Sequence, residues 1–148
     1  MLVRHVGEQD LRELLPLMRG YCDFYEVAPG DGELLAVSRA LIADPECEGV
    51  QLIAQDDDGA AIGFATIFWS WSTLSAGRIG VMNDLFVAPE ARGSGAAEAL
   101  IGACRAEARA RGAVWLGWQT ARDNHRAQRL YERVGAERAQ WIDYGLRP

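Results

Sequence analysis

The chain contains no lysine. All fifteen basic side chains among its 148 residues are arginines, which excludes Schiff-base chemistry, a lysine general base and acetylation of the protein's own lysines. Cysteine is scarce and scattered. Cys22, Cys47 and Cys104 form no C-x-x-C pair, so no disulfide framework is written into the spacing and reduced thiols are expected. With only His5 and His125 to draw on, a zinc-type ligand cluster cannot be assembled, and no metal is expected. No apolar run reaches the length that spans a bilayer, and no signal-peptide pattern opens the chain. The expectation is a cytoplasmic protein without a membrane partner. A net charge of −6 disfavours nucleic acid and anionic surfaces as partners and tilts the chain toward cationic ones.

What is present is the composition of a globular protein. With 49% hydrophobic residues, 24% charged residues and five tryptophans, the chain can bury a core, and disorder is excluded. Its length fits one domain over residues 1–148, removing roughly two-thirds of the extended surface from water.

Residues 2–6 read as a strand. Asp10 with Glu13 makes a capping box for a helix carrying Leu11, Leu14, Leu15, Met18, Cys22 and Tyr25 at helical spacing, with a kink or irregular segment near Pro16. A second helix, capped by Asp31, stops at Asp44-Pro45. The period then changes. VQLIAQ, the turn DDDG and AAIGFATIFWSW give strand, turn and strand, and RIGVMNDLFV gives a third strand. A helix from about Gly95 to Arg111, the short apolar strand VWLGWQ, a helix from Asn124 to Gly135 and a last strand over residues 137–146 complete the order. This is an α+β (mixed α/β) domain: a mostly antiparallel twisted sheet, flanked by about four helices. The helix between RIGVMNDLFV and VWLGWQ makes those two strands its one parallel pair.

Two segments carry chemistry. In VAPEARGSGAAEAL, Gly93 and Gly95 can adopt positive φ, so that N–H groups from Gly93 to Ala97 converge on one anion at a helix N-terminus, with the Arg92 charge beside them. There is no lysine followed by Ser or Thr after the second glycine and no three-glycine dinucleotide pattern. In NHRAQRLYERVG, Asn124 and Tyr131 lie seven residues apart, two helical turns, on nearly one face with Ala127 and Leu130. Ligands in such folds bind beyond the carboxyl ends of parallel strands, where the glycine loop lies.

The two segments together resemble the GNAT superfamily of acyl-CoA-dependent N-acetyltransferases, nearest in motif to the diamine or polyamine acetyltransferase branch. Arg92, Gly93, Ser94, Gly95, Ala96 and Ala97 match the R/Q-x-x-G-x-G/A loop of that superfamily. Asn124, Ala127, Leu130, Tyr131 and Gly135 match its N-x-x-A-x-x-L-Y-x-x-x-G helix, and NDLFV matches its central strand. The resemblance implies acetyl-CoA as cosubstrate, with the loop amides and Arg92 on the pyrophosphate and main chain of Leu85, Phe86 and Val87 along the pantetheine. It further implies that Asn124 fixes the pantetheine or its own helix end, and that Tyr131 donates a proton to the departing thiolate. It also implies a homodimer, with Trp141 and Tyr144 as the exposed aromatics.

The proton acceptor departs from the branch pattern. Where a carboxylate often precedes the strand Asp, this chain has Asn83, which cannot take a proton at ordinary pH. Asp84 is the candidate base, although alternation sends it to the opposite face from Asn83 and Leu85 unless a bulge re-aims it. The alternatives are a water held by Asn83, an amine that arrives neutral, or a hydrogen-bonding or ammonium-binding role for Asp84. The acceptor pocket is expected from the first two helices and the strand of Trp69 and Trp71, with Tyr21, Asp23, Tyr25, Glu26, Glu33 and Asp84 supplying aromatic faces and charge for a cation. The function implied is acetyl transfer from acetyl-CoA to a primary amine of a small molecule by direct attack. The alternatives are a noncatalytic acyl-CoA-binding or sensing module, and a generic phosphate binder.

Overall fold

Five strands lie in the sheet in chain order: β1 (Leu2–His5), β2 (Gly49–Gln55), β3 (Ala61–Ser72), β4 (Gly77–Val87) and β5 (Trp115–Gly117). The computed structural model describes residues 1–148. β1 to β4 pair antiparallel, and β4 pairs with β5 in parallel through Ile79–Val81 and Trp115–Gly117. The mostly antiparallel sheet with one parallel pair is the architecture the sequence predicts. Helices α1 (Leu11–Phe24) and α2 (Asp31–Ala43) cover one face. Helix α3 (Ala96–Ala110) covers the other, and α4 (His125–Arg133) follows β5.

Side-chain alternation divides the core between the two faces. Ile53, Phe64 and Phe86 meet Leu11, Leu14, Met18 and Leu34 on the α1 and α2 side. Leu52, Ala65, Ile67 and Met82 meet Leu100, Ile101 and Cys104 on the α3 side. Phe86 reaches under α1 because Gly20 leaves room; a Cβ there would stand 2.7 Å from its ring.

Several local expectations are corrected. α1 runs unbroken through Pro16: the lost N–H falls in the second turn, where the helix is held against the sheet by Leu11, Leu14 and Leu17. Asp10 occupies the N-cap position of α1, but its side chain makes no cap bond there. Its carboxylate accepts the Gly7 N–H at 2.8 Å and a two-pronged bond from Arg4 at 2.7 Å, because a buried carboxylate gains more from a guanidinium than from a helix amide. Gly30, not Asp31, caps α2, and the Glu33 carboxylate reaches back to the Gly30 N–H at 2.6 Å.

The expected last strand over residues 137–146 is absent. Nothing beyond Arg133 is regular secondary structure, since β5, three residues long, offers a strand almost no edge to pair with, and Trp141-Ile142 breaks the alternation. Trp141 and Tyr144 are 82% and 94% exposed. No helix is long and apolar enough to cross a membrane.

Candidate active site

A wedge opens where β4 and β5 part. They share three residue pairs, ending at Val81 and Gly117, and from Met82 onward the outer edge of β4 has no strand beside it. The register with β3 slips in the same place: Ile67 faces Met82 and Thr66 faces Asp84, leaving Asn83 as a bulge. The bulge turns Asp84 onto the α1 face in line with Phe86. Ala88 donates to Ile62 of β3 at 2.9 Å; alternation therefore points the main-chain groups of Val87 and Leu85 outward, into the wedge. Phe86 differs, with its main chain toward β3 and its ring in the core under α1.

Below the wedge lies the glycine loop. Gly93 and Gly95 adopt φ of +89° and +88°, the left-handed region that costs other residues energy. The N–H groups of Gly93, Gly95 and Ala97 have no intramolecular acceptor, and they lie at the N-terminal end of α3. Ser94 is the exception among the expected amides. Its N–H goes to the Ala91 carbonyl at 3.3 Å, and its hydroxyl accepts the Ala96 N–H at 3.4 Å, so Ser94 shapes the loop from within. Arg92 anchors its Nε on the Val87 carbonyl at 3.3 Å, leaving the rest of its guanidinium at the rim.

The opposite wall is α4. Asn124 caps it, its side chain accepting the Ala127 N–H at 3.2 Å. Its far end closes with Gly135 at φ +80° and a 2.9 Å bond from Ala136 N–H to the Tyr131 carbonyl. Tyr131 is held edge-on by Trp118, with ring centres 5.3 Å apart. Burial raises the pKa of its phenol, so it stays protonated across the neutral range.

Together these elements enclose a cleft of about 440 Å³, lined by Leu85 to Val87, the glycine loop with the first residues of α3, one face of α4 including Asn124 and Tyr131, and Tyr21, Phe24 and Tyr25 of α1. Apart from Ser94, the expected cofactor residues and Tyr131 thus share one space. Sequence reasoning missed Phe24, Thr120 and the arginines Arg126, Arg129 and Arg133, which also line it. The three arginines recur at helical spacing, a signal present in the sequence.

Asp84 lies behind the cleft wall. Burial raises its pKa, opposed by hydrogen bonding from Thr66, Asn83 and Tyr21; the Asn83 amide donates to it at 2.9 Å. The Tyr21 hydroxyl donates to the Asn83 carbonyl at 3.2 Å, and Tyr21 lines the cleft that Asp84 does not.

The tryptophans assigned to the acceptor pocket lie elsewhere. In the β3 register Trp69 faces Gly80 and Trp71 faces Arg78, at the other end of β4 from the loop. Trp69 is 8% exposed, donates its indole N–H to the Pro45 carbonyl at 2.9 Å and lies under the Arg111 guanidinium. Trp71 is exposed beside Arg78. Glu26 is exposed after the end of α1 and does not line the cleft, whereas Tyr25 does. No group of three or more His, Cys, Asp or Glu side chains is placed to hold a metal ion.

Comparison with known proteins agrees with this geometry. Residues 14–136 match the model of the acetyltransferase (GNAT) family. An uncharacterized N-acetyltransferase of Bacillus subtilis (strain 168), YhfO, is 34% identical over 137 residues, 93% of this chain and 90% of that protein. Among solved structures, a probable acetyltransferase superposes with a TM-score of 0.87 at 29% identity, covering 100% of this chain and 98% of that one. The aminoglycoside N-acetyltransferase AAC(6')-Iy in complex with CoA shares the fold, with a TM-score of 0.84 at 20% identity over 99% of this chain and 93% of that one. A match across most of the chain, with the loop and tyrosine helix on either side of one cleft, has a single reading: the protein is a member of the GNAT family of acetyltransferases.

Proposed function

We propose that the protein transfers an acetyl group from acetyl-CoA to a primary amine on a small molecule, by direct attack with both substrates bound. The observation that carries this reading is the wedge at the end of β4, whose open strand edge leads from the unpartnered loop amides to Tyr131. The residues fit the coenzyme. Gly93, Gly95 and Ala97 N–H groups with the N-terminal end of α3 suit a pyrophosphate, and Arg92, Arg126 and Arg129 add cationic reach at the rim. The main chain of Leu85 and the Val87 N–H present strand-like partners for the amides of the pantetheine arm.

In the reaction the amine nitrogen attacks the thioester carbonyl, a C–N bond forms and the C–S bond breaks. Main-chain N–H groups on the open edge of β4 polarise the carbonyl. The proton lost by the amine passes to Asp84 by way of the Tyr21 hydroxyl at the cleft wall, and Tyr131 supplies a proton to the leaving thiolate. Tyr21, Phe24 and Tyr25, stacked edge to face with ring centres about 5 Å apart, form an aromatic wall suited to an amine-bearing substrate.

Thiol release from acetyl-CoA, measured across polyamines, amino acids, aminoglycosides and short peptides, tests the reading. Turnover with at least one amine class is expected. Tight CoA binding without turnover on any of them would replace it with a noncatalytic acyl-CoA-binding module, and equal affinity for CoA, ATP and NAD would replace both with a generic phosphate binder.

A further inference from the structure

A row of polar side chains crosses the most buried part of the sheet. Gln51, Thr66 and Asp84 are direct cross-strand neighbours on β2, β3 and β4, on the face where their flanking residues Ile53, Phe64 and Phe86 are core. Gln51 is 4% exposed and Thr66 0%. Polar groups at such positions are costly unless hydrogen-bonded, and an apolar pair would fill the same space. Their bonding has a direction. The Gln51 amide donates to the Thr66 hydroxyl oxygen at 3.1 Å. Thr66 has one proton to give; the Gln51 N–H group occupies its acceptor side, and Asp84 is the residue directly opposite on β4, so its carboxylate is the acceptor to which that proton can turn.

We propose that Gln51 and Thr66 are positioning residues for Asp84: the Gln51 amide fixes the Thr66 hydroxyl as a donor, and that donor holds the Asp84 carboxylate in its ionised, proton-accepting form. The proposal rests on the reading of Asp84 as the group that takes the amine proton. The amide orientation follows from the same logic. Turned over, Gln51 would accept the Thr66 proton itself, and the carboxylate would lose a donor inside the core. In the orientation found, the Gln51 Oε1 has no protein partner, and Gln51 is one of the residues lining a small cavity of about 140 Å³ with His5, Val6, Leu41, Ile42, Pro45 and Val50. The row leaves its one unsatisfied atom at the end farthest from the chemistry.

Burial raises the Asp84 pKa and the Thr66 bond lowers it. Removing the bond must therefore raise it further, and activity that needs the carboxylate must retreat to higher pH. Two readouts separate the row from the reading it rests on. The first is a carbon-13 NMR titration of the Asp84 carboxyl in the full chain, assigned by its disappearance in Asp84→Asn. The second is the pH profile of kcat/KM with the best amine.

Thr66→Val should move the Asp84 titration and the acidic limb together to higher pH by about one unit, a tenfold loss on that limb. Thr66→Ser, which keeps the hydroxyl, should restore both. Gln51→Glu should act in the direction of Thr66→Val, because its carboxylate takes the Thr66 proton; Gln51→Leu, which adds no charge, replaces it should that variant fail to fold. An Asp84 titration that stays in place in Thr66→Val and in the Gln51 variants would overturn the row. Full activity in Asp84→Asn, with the titration still moving in Thr66→Val, would leave the row standing and remove Asp84 as the base.

Discussion

β4 is one strand with two fates. Over Ile79–Val81 it lies between β3 and β5, and its main-chain groups are consumed by the sheet; over Asp84–Val87 it has β3 alone, and Leu85 and Val87 aim their main-chain groups outward, the Val87 C=O being taken by Arg92. Two small features make the difference: β5 is three residues long, and Asn83 bulges. The first half is built to persist and carries Gly80 under the Trp69 ring. The second half borders the cleft and keeps its remaining hydrogen-bonding groups for a ligand. Function in this fold begins where pairing stops, so damage to the two halves should be distinguishable by what is lost.

The largest effect expected is chemical. Tyr131→Phe keeps the ring against Trp118 and removes only the hydroxyl, and it should lower kcat by roughly 10² or more with little change in CoA affinity. A kcat within a few-fold of wild type in a steady-state assay would take the phenol out of the mechanism. Next comes the loop. Gly95→Ala meets no steric obstacle, since open space surrounds a Cβ there, but it must hold φ near +88°. If the free loop relaxes out of that conformation, restoring it for the ligand costs the strain of about 1–2 kcal/mol, which should appear as roughly tenfold weaker CoA binding by calorimetry, with the melting temperature little changed. Unaltered affinity would mean that the loop's left-handed turn is not what presents the amides.

The legible and illegible parts of this protein divide along the same line. The glycine loop and the Asn124 to Gly135 helix could be read directly because their chemistry is local: positive φ, a cap and a helical repeat all lie within a few neighbours. The parallel pairing followed from one intervening helix. The bulge at Asn83 could not be read, because register belongs to two strands and β3 decides half of it. Trp69 and Trp71 were misplaced for the same reason; a hairpin register sends them to the far end of β4, whatever their aromatic character suits. Gln51 and Thr66 sit in strands that read simply as apolar. The last strand failed because a strand needs a partner edge, and no pattern within residues 137–146 reveals that β5 is short.

Two aspartates, Asp10 buried and Asp84 partly buried, should give opposite signs of pH-dependent stability. Asp10 has its pKa lowered, first by the Arg4 hydrogen bond. Its stabilisation is present above the ordinary carboxylate range and is lost as pH falls through the folded pKa. Asp10→Asn should therefore cost about 1–3 kcal/mol near neutral pH, a deficit that closes in acid. Asp84 has its pKa raised by burial. Its contribution is complete below the unfolded carboxyl range and is lost as pH rises through the folded pKa, so Asp84→Asn should be more stable than wild type at neutral pH, with the gap closing on acidification. Denaturant unfolding at a series of pH values checks both. Losses of the same sign would mean that Asp84 is a structural ion-binding group like Asp10, rather than a carboxylate kept at a cost to stability for activity.

The smallest effect sharpens the division at the other end of β4. Trp69→Phe keeps most of the ring between Gly80 and Arg111 but gives up the indole bond to the Pro45 carbonyl. A lost neutral hydrogen bond, with the carbonyl left close to solvent, is worth about 1 kcal/mol, a few degrees in melting temperature for a chain of this size. Because Trp69 lies on the α3 face at the sheet-bound half, KM for the amine should be unchanged. A rise in KM without loss of stability would mean that the acceptor extends across the sheet to the tryptophans, and the boundary between the two halves of β4 would have to move.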